Sequence, residues 1–262
     1  MKLWQTRRHW EKFARTDPMW SVLTLPDKAG NRWSVEEFFA TGRETVDAEI
    51  IGVRSRYPAL RTGQALDFGC GLGRLTQGLA AHFDRVTGVD ISEAMIELAR
   101  RHNRYGDKVT YVHNTRPDLS CFADGTFDFV YSVITLQHVA PEYSRGYIAE
   151  FIRVLAPGGV TLFQVPARAP TVDAGRKKNS HFSLWPPTLA KRGYRVVRRA
   201  FRRVRHLVNR TAALTPVMEM HTLPREEVLA ILQREGGDVL NVYRYDAAGA
   251  DFESYGYLVR KP

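Results

Sequence analysis

The stretch ALDFGCGLG at residues 65–73 joins a short apolar run to three closely spaced glycines. An apolar run that ends in glycines predicts a buried β-strand followed by a loop. Leu75, Leu79 and Ala80 come next, at spacings that indicate a helix. Glycines let such a loop bring its backbone close to a ligand, and the helix N-terminus can face a polar or anionic group. A tight turn without a ligand is the alternative that the loop alone leaves open.

Strands and helices alternate on the C-terminal side of this loop. Ser92 can cap one of the helices, and Pro141 can start another. Four such alternations over about a hundred residues are typical of a parallel, doubly wound sheet. The further predicted strands cover residues 85–90, 109–114, 127–134 and 160–165.

The segments on either side of this core have different patterns. Ser34 and Glu37 form a predicted capping box at the start of a helix. A helix is also predicted from Thr222 to Glu235, ahead of two strands that look antiparallel. The predicted fold is therefore α/β: a doubly wound, mostly parallel sheet with an antiparallel closing hairpin and added helical segments. We predict a helical N-terminal cap at 1–60, the core at 61–166, a basic helical insert or lid at 167–221, and the C-terminal helix and closing strands at 222–262.

The composition is that of an ordinary globular protein, with 44% apolar and 25% charged residues among 262. No apolar run approaches the roughly 18 residues that a membrane-spanning helix needs, and the N-terminal residues lack the apolar core of a secretory signal. The two cysteines, Cys70 and Cys121, argue against a disulfide scaffold or a cysteine metal site. We therefore expect a cytoplasmic protein.

The net charge of +10 is concentrated in one segment. Residues 176–210 hold twelve basic residues and no acidic one, so the remaining chain carries a net charge of −2. Apolar residues recur there at spacings of three and four, which predicts an amphipathic helix with arginines on its other face. These apolar residues are Tyr194, Val197, Phe201, Val204 and Val208.

Three interpretations of this basic helix stay open. In the first, the helix packs on the protein itself or on a second subunit of a homodimer. In the second, residues 191–210 attach peripherally to an anionic membrane surface. In the third, they recognise an acidic substrate. Nucleic acid is disfavoured as a partner, because the charge is confined to one helix and no RNA-binding module is recognisable.

Polar residues follow the predicted strands at the edge where doubly wound sheets bind ligands. The glycine spacing is G-x-G-x-G, and Arg74 stands where the dinucleotide-binding fingerprint G-x-G-x-x-G needs its third glycine. Asp90 ends the second strand, where a carboxylate can accept hydrogen bonds from both hydroxyls of a ribose. The sequence therefore predicts a nucleoside pocket that is not a typical nicotinamide site.

Four segments occur in the order and spacing of known motifs: DFGCGLG (67–73), GVDIS (88–92), FADGTFDFVYSVITLQHV (122–139) and RVLAPGGVTLF (153–163). Together they resemble the successive motifs of class I, Rossmann-like S-adenosylmethionine-dependent methyltransferases. The resemblance covers roughly residues 60–166, with a tail at 222–262. It implies S-adenosylmethionine as cofactor and S-adenosylhomocysteine as product.

The resemblance also implies roles for single residues on the methionine and ribose side. Gly69, Cys70 and Gly71 would wrap the methionine part of the cofactor, and Asp67 would help to orient it. Asp90 would bind the two ribose hydroxyls.

On the adenine side, the resemblance places Ile91 and Met95 beside the ring. Asn114 and Thr115 stand where many family members carry an acidic residue and a small neighbour that meet the adenine amino group. An asparagine keeps that contact available, because its amide oxygen accepts hydrogen bonds. Beneath the sulfonium, the far wall would be formed by Ser132 and Gln137.

Methyl transfer from a sulfonium is an in-line displacement with a neutral leaving group, so alignment supplies most of the catalysis. A hydroxyl nucleophile also needs a base. His138, just after the fourth strand, is the candidate general base, with Gln137 and Glu142 to orient it. The alternative is that His138 only forms hydrogen bonds at the start of a helix. Glu219 and His221 are a second option for the base, if the insert folds back over the pocket.

Several nucleophile classes are disfavoured by missing motifs. The chain lacks the Asn/Asp-Pro-Pro-aromatic motif of amide and exocyclic nitrogen methylation, and it has no Pro-Cys pair for cytosine C5 chemistry. No residue pattern resembles the metal site of catechol-type enzymes, so no metal is predicted. We therefore favour O-methylation of a small-molecule acceptor, such as a sugar, a lipid-linked compound or a specialised metabolite. The alternatives are an RNA or protein methyltransferase that uses the basic insert, a nicotinamide-dependent oxidoreductase, and a non-catalytic nucleoside-binding module.

Overall fold

A computed structural model of the chain describes residues 2–170, 215–249 and 251–262. Apart from residues 215 and 216, the described residues belong to one compact unit. Most of the predicted insert, including its basic amphipathic helix, lies outside the described residues. Within the described part, no helix combines the length and apolar character needed to cross a lipid bilayer.

A seven-stranded sheet forms the centre of the described part of the chain. Its strands are β1 (Gln64–Phe68), β2 (Arg85–Asp90), β3 (Val109–His113), β4 (Phe127–Ser132), β5 (Leu155–Arg168), β6 (Asp238–Arg244) and β7 (Glu253–Arg260). The strand order is β3-β2-β1-β4-β5-β7-β6. Strands β1 to β5 pair in parallel, and β7 runs antiparallel to both β5 and β6. This arrangement confirms the predicted doubly wound sheet with an antiparallel closing hairpin.

Helices cover both faces of this sheet. The described helices are α1 (Leu3–Thr16), α2 (Pro18–Val22), α3 (Val35–Arg56), α4 (Arg74–Leu79), α5 (Glu93–His102), α6 (Pro141–Val154) and α7 (Arg225–Arg234). Successive strand residues point to opposite faces. Thus Leu66 of β1 packs in a buried cluster with α6 and α7. Its neighbour Ala65 packs in another cluster with α3, α4 and α5.

The predicted helix starts agree with the structure in three places. The Ser34 hydroxyl accepts a hydrogen bond from the Glu37 backbone N–H at 3.2 Å. The Ser92 hydroxyl accepts one from the Met95 N–H at 3.3 Å. Helix α6 begins at Pro141, as predicted. Local capping chemistry therefore sets where α3, α5 and α6 begin.

Three boundaries differ from the predictions. Helix α7 begins at Arg225 and not at Thr222, because the residue before a proline is driven out of the helical region, and here Pro224 is the N-cap. Strand β4 ends at Ser132 and not at residue 134, because Ile134 has a φ of 60°, which no strand residue adopts. Strand β5 begins at Leu155, and the pairing with β4 shifts register before Val160.

Helices α3 and α4 approach each other unusually closely. A Cβ atom added at Gly42 would lie 2.1 Å from the carbonyl oxygen of Arg74. A Cβ atom added at Gly78 would lie 2.8 Å from the carbonyl oxygen of Gly42. Because only glycine permits such contacts, α3 fixes the backbone position of α4, the helix that follows the glycine loop.

Candidate active site

A cavity of about 940 Å³, measured out to its open mouth, lies at the carboxyl ends of β1, β2 and β4. Its wall includes Phe68 at the end of β1 and Gly69 just after it, Asp90 at the end of β2, and Val133 and Ile134 after β4. The strand order reverses between β1 and β4, and doubly wound sheets bind ligands at this switch point.

The glycine loop forms one wall of this cavity. Gly69 has a φ of 76°, a conformation that favours glycine, and its N–H donates a hydrogen bond to the Val89 carbonyl at 2.8 Å. A Cβ atom at Gly69 would lie 2.1 Å from the Thr135 side chain. Cys70 and Gly71 also line the cavity. The structure therefore places all three loop residues named from the sequence on the wall of one cavity.

Asp90 joins this loop to the end of β2. One carboxylate oxygen accepts a hydrogen bond from the Gly71 N–H at 2.9 Å, and the other accepts one from the Ser92 N–H at 2.8 Å. Burial raises the pKa of Asp90, while the two backbone N–H groups and nearby His113 oppose that rise. Since each carboxylate oxygen accepts two hydrogen bonds, Asp90 retains capacity for ligand hydroxyl groups.

Of the four residues predicted for the adenine side, two line the cavity and two do not. Ile91 and Asn114 line the cavity. The Asn114 amide closes a local turn, since it donates to the Asp118 carbonyl at 2.7 Å and accepts from the Arg116 N–H at 3.0 Å. Outside the cavity wall lie Met95, which is fully buried among the N-terminal helices, and Thr115, which is exposed.

Three further predicted residues lie behind the cavity wall. The Ser132 hydroxyl is fully buried and donates to the Phe68 carbonyl at 3.1 Å, which joins β4 to β1. Asp67 is buried and accepts a hydrogen bond from the Thr76 hydroxyl at 2.6 Å. Gln137 is buried beside His138. In this structure their side chains support the wall and do not face the cavity.

Burial gives Asp67 an unusual titration. It raises the pKa of the Asp67 carboxyl to about 7, although the hydrogen bond from Thr76 and the charge of Arg74 oppose the rise. Between the ordinary pKa of 3.8 and this value, the folded protein binds more protons than the unfolded chain. The stability contributed by protonated Asp67 is therefore complete below pH about 4 and is lost as the pH rises through about 7.

Asp67→Asn should remove this pH dependence. We expect the free energy of unfolding of the variant, relative to the wild type, to increase by at most about 1.4 kcal/mol per pH unit between pH 4 and 7 and then to level off. Urea unfolding of both proteins at several pH values measures the difference. A difference that stays constant from pH 4 to 8 would contradict the assignment.

His138 lies on the cavity wall at the end of a short 3₁₀ helix, Leu136–His138. Its Nδ1 is 2.8 Å from the Glu219 carbonyl oxygen, and because a carbonyl only accepts, Nδ1 carries the proton. Its Nε2 therefore has the lone pair, which accepts from the Gln137 side-chain amide at 3.2 Å. Burial lowers the pKa of His138 to about 4, so the ring is neutral at physiological pH.

The residues expected to assist His138 are only partly in place. Gln137 contacts it, as predicted, and is itself bonded through its side-chain oxygen to the Gln164 amide at 3.3 Å. Glu142 forms no hydrogen bond to His138 in the part of the chain that the structure describes. Glu219 and His221, the second option for the base, do not line the cavity. The backbone N–H of His221 donates to the backbone carbonyl of Gln137 at 2.7 Å.

The N-terminal helices contribute wall residues that the sequence motifs did not identify. Leu3, Thr6 and Trp10 of α1 line the cavity, and so does Val22 of α2. The Trp10 ring lies edge-on to the His138 ring, with 5.4 Å between centroids. Trp10 is thus part of the cavity wall, whereas Trp4 of the same helix is exposed. A helix with no family motif gives no local signal that it covers a distant pocket.

Comparison with known proteins identifies the central part of the chain. A family model described as "Methyltransferase domain" matches residues 65–159, which include the glycine loop, Asp90 and His138. Residues 65–159 therefore match a methyltransferase domain. This confirms the family resemblance carried by the four sequence motifs.

Two curated relatives share this methyltransferase domain. A ubiquinone biosynthesis O-methyltransferase of Vibrio parahaemolyticus is 29% identical over 153 residues, which are 58% of this chain and 64% of the relative. The ubiquinone biosynthesis O-methyltransferase of Aromatoleum aromaticum is 35% identical over 109 residues, 41% of this chain and 46% of the relative. The similarity thus spans less than two thirds of either relative.

A solved structure extends the fold similarity beyond the methyltransferase domain. Magnesium protoporphyrin IX methyltransferase from Synechocystis, crystallised with bound S-adenosylhomocysteine, aligns with a TM-score of 0.60 and 16% sequence identity. The alignment covers 98% of this chain and 97% of that one. At this identity, the comparison supports the fold and does not specify the substrate.

Proposed function

We propose that the protein transfers a methyl group from S-adenosylmethionine to a hydroxyl group of a small, mainly apolar molecule. The observation that carries the proposal is the joint position of the glycine loop and Asp90 on one wall of a cavity at the switch point of the sheet. The methyltransferase domain supports methyl transfer. The names of the curated relatives support oxygen as the nucleophile.

The residues of the cavity fit this cofactor. Gly69 has no side chain to collide with Thr135, so the backbone of the loop can lie on the cavity wall, where it would meet the cofactor. Asp90 offers carboxylate lone pairs for the two ribose hydroxyls, and Ile91 offers an apolar surface for the adenine ring. The structural relative from Synechocystis binds S-adenosylhomocysteine within the same fold.

When bound, S-adenosylmethionine supplies a methyl group on a sulfonium that leaves as a neutral thioether. The protein contributes mainly alignment, because such a displacement needs no assistance to its leaving group. The glycine loop and Asp90 would fix the donor. Leu3, Thr6 and Trp10 of α1 would limit the access of water to the cavity.

His138 is the residue that we assign to proton acceptance. Among the described cavity-lining side chains that titrate, Arg74 is a cation, and burial raises the pKa of Cys70 and Tyr147. Asp90 already accepts hydrogen bonds from the N–H groups of Gly71 in the glycine loop and of Ser92, the residue before α5. His138 is neutral, and its lone pair on Nε2 is held only by a long hydrogen bond from Gln137, which a substrate hydroxyl can replace.

A weak base is sufficient for this step. The hydroxyl oxygen gains positive charge as it takes up the methyl group, which makes its proton strongly acidic. This proton can therefore leave late in the reaction. His138, with a pKa of about 4, accepts a proton from such an oxygen downhill. The hydrogen bond from Nδ1 to the Glu219 carbonyl keeps the lone pair on Nε2 throughout.

The shape of the wall beside His138 favours a planar acceptor. Trp10 contacts the His138 ring, and an indole is a large apolar surface on which aromatic rings stack well. Arg74 and Asp90 are the charged residues among the described wall residues. We therefore assign the acceptor to aromatic hydroxyl compounds in preference to sugars, whose many hydroxyl groups need many polar partners.

A turnover screen tests this proposal. The purified protein is incubated with S-adenosylmethionine carrying a labelled methyl group and with two sets of acceptors, phenols and sugars. We expect labelled methyl ethers from phenols, with one S-adenosylhomocysteine formed per methyl transferred. Label that goes only to sugars would overturn the aromatic assignment, and label that goes only to nitrogen acceptors would overturn O-methylation.

A further inference from the structure

Strand β5 carries a fully buried polar side chain, Gln164, outside the cavity wall. Gln164 comes directly after Phe163, where the last of the four sequence motifs ends, and it lies beyond residues 65–159, which the family model matches. The mechanism proposed above gives Gln164 no role. Burial of a polar side chain costs free energy unless it is hydrogen-bonded, so the partners of Gln164 indicate what it does.

These partners lie at both ends of the short segment that carries His138. The side-chain oxygen of Gln164 accepts a hydrogen bond from the Ile134 backbone N–H at 2.9 Å. Its side-chain nitrogen donates to the Gln137 side-chain oxygen at 3.3 Å and to the Ser254 hydroxyl of β7 at 2.6 Å. An amide side chain has one oxygen and two N–H donors, and all three groups are used here. Gln164 therefore links residues 134–138 to the sheet.

The backbone of this segment needs such support. Ile134 has a φ of 60°, a conformation that a β-branched residue rarely adopts. Strained backbone of this kind persists only where its surroundings hold it. Ile134, Thr135 and His138 all line the cavity, so the shape of this wall depends on what holds the segment.

The backbone also determines which way the two amide side chains lie. Because a backbone N–H only donates, the Gln164 oxygen has to face Ile134. Its nitrogen then faces the Gln137 oxygen, and the Gln137 nitrogen faces Nε2 of His138 at 3.2 Å. On the other side of the ring, Nδ1 donates to the Glu219 carbonyl at 2.8 Å. The lone pair on Nε2 thus meets a donor whose orientation is set by Gln164.

We propose that Gln164 is a positioning residue for proton acceptance by His138, an assignment that rests on the proposed function. From β5, Gln164 holds Ile134 and Gln137, and through them it sets the place and orientation of the His138 ring. A base acts only within hydrogen-bond reach of its proton, and a displacement of about 1 Å can cost about 100-fold in rate. Asp90 takes part in none of these hydrogen bonds, so the donor site does not depend on them.

Amide hydrogen exchange tests the contacts of Gln164 without any ligand. Gln164→Met has a similar size but no amide group. We expect the Ile134 N–H of this variant to exchange at least about 10-fold faster than in the wild type, because it loses its buried acceptor. Unchanged exchange of this N–H would overturn the proposal.

Thr161→Val is the matched control. Thr161 is a fully buried residue of the same strand, and its hydroxyl has no hydrogen-bond partner in the described structure. Thr161→Val should therefore leave both the exchange of the Ile134 N–H and kcat as they are in the wild type.

A double-mutant cycle with His138 tests the role of Gln164 in the reaction. We expect Gln164→Met to lower kcat by about 10- to 100-fold and to change the affinity for S-adenosylhomocysteine by less than about twofold. In the His138→Ala background, the same substitution should lower kcat by less than about twofold, because a residue that acts through the base then has nothing to position. A general disturbance of the structure would instead lower kcat in both backgrounds.

Equal losses of kcat in the two backgrounds, or normal kcat in Gln164→Met, would overturn the assignment of Gln164. Failure of the wild type to bind S-adenosylhomocysteine would instead refute the proposed function, and hydrogen exchange would still show whether Gln164 holds the segment. Thermal unfolding shows whether Gln164→Met is folded. If it is not, Gln164→Asn takes its place in both experiments with the same expected results, because its shorter amide cannot reach both Ile134 and Gln137.

Discussion

Replacing Asp90 with asparagine should weaken the binding of S-adenosylhomocysteine by about 100-fold or more. The carboxylate of Asp90 is placed to accept hydrogen bonds from two ribose hydroxyls while it holds the N–H groups of Gly71 and Ser92. Each hydrogen bond to a charged group contributes about 1.5–3 kcal/mol, and an asparagine has only one oxygen to accept with. Equilibrium dialysis with labelled ligand measures the affinity.

Asp107→Asn is the matched control for Asp90→Asn. Asp107 is an exposed carboxylate in the short helix Gly106–Lys108, at the far end of β3 from the cavity. It should bind the ligand as the wild type does. If Asp90→Asn also binds within about twofold of the wild type, the cofactor does not use this carboxylate.

His138→Ala should lower kcat by about 100- to 10,000-fold with little effect on the affinity for S-adenosylhomocysteine. General-base catalysis contributes factors of this size, and removal of the base leaves the donor site formed by the glycine loop intact. Steady-state kinetics with a phenol that the wild-type protein methylates measures kcat, and calorimetry measures the affinity for S-adenosylhomocysteine. Normal turnover by His138→Ala would refute its role as proton acceptor.

The pH profile and a second histidine sharpen this test. Because burial lowers the pKa of His138 to about 4, wild-type kcat should show no decline from this group until the pH approaches 4. A decline centred near 6.5 would identify a more exposed histidine. His221→Ala is the control, since His221 does not line the cavity and pairs with the Glu219 carboxylate at 3.1 Å. It should keep kcat within a few-fold of the wild type.

The parts of the fold with strong local signals could be predicted from the sequence. Apolar runs located the strands, because strands of a doubly wound sheet are buried on both faces. Ser34 and Ser92 marked helix starts because their hydroxyls cap the first turn. The loop at Gly69 and the carboxylate of Asp90 were predictable because both follow directly from positions at strand ends.

Side-chain direction at the strand ends could not be predicted in the same way. Asp67 and Ser132 stand at the same edge of the sheet as Asp90, but both are directed into the protein, toward Thr76 and the Phe68 carbonyl. A sequence position at a strand end fixes the edge of the sheet and not the direction of the side chain. The burial that shifts the pKa values of Asp67 and His138 likewise depends on helices distant in the sequence.

The part of the cavity wall that α1 forms was the least predictable from the sequence. Trp10 and Thr6 lie on α1, more than fifty residues before the glycine loop, and no local pattern connects them with it. The burial of Arg74 could not be predicted either, since it depends on the packing of α3, as does the lack of a hydrogen-bond partner for its Nε.

Titration calorimetry of the purified wild-type protein with S-adenosylhomocysteine shows whether the cavity holds an adenosyl methyl donor. We expect saturable binding of one molecule per chain, and no measurable heat for NAD under the same conditions. Absence of binding by S-adenosylhomocysteine, or equally tight binding of NAD, would contradict the conclusion that the glycine loop and Asp90 hold an adenosyl methyl donor.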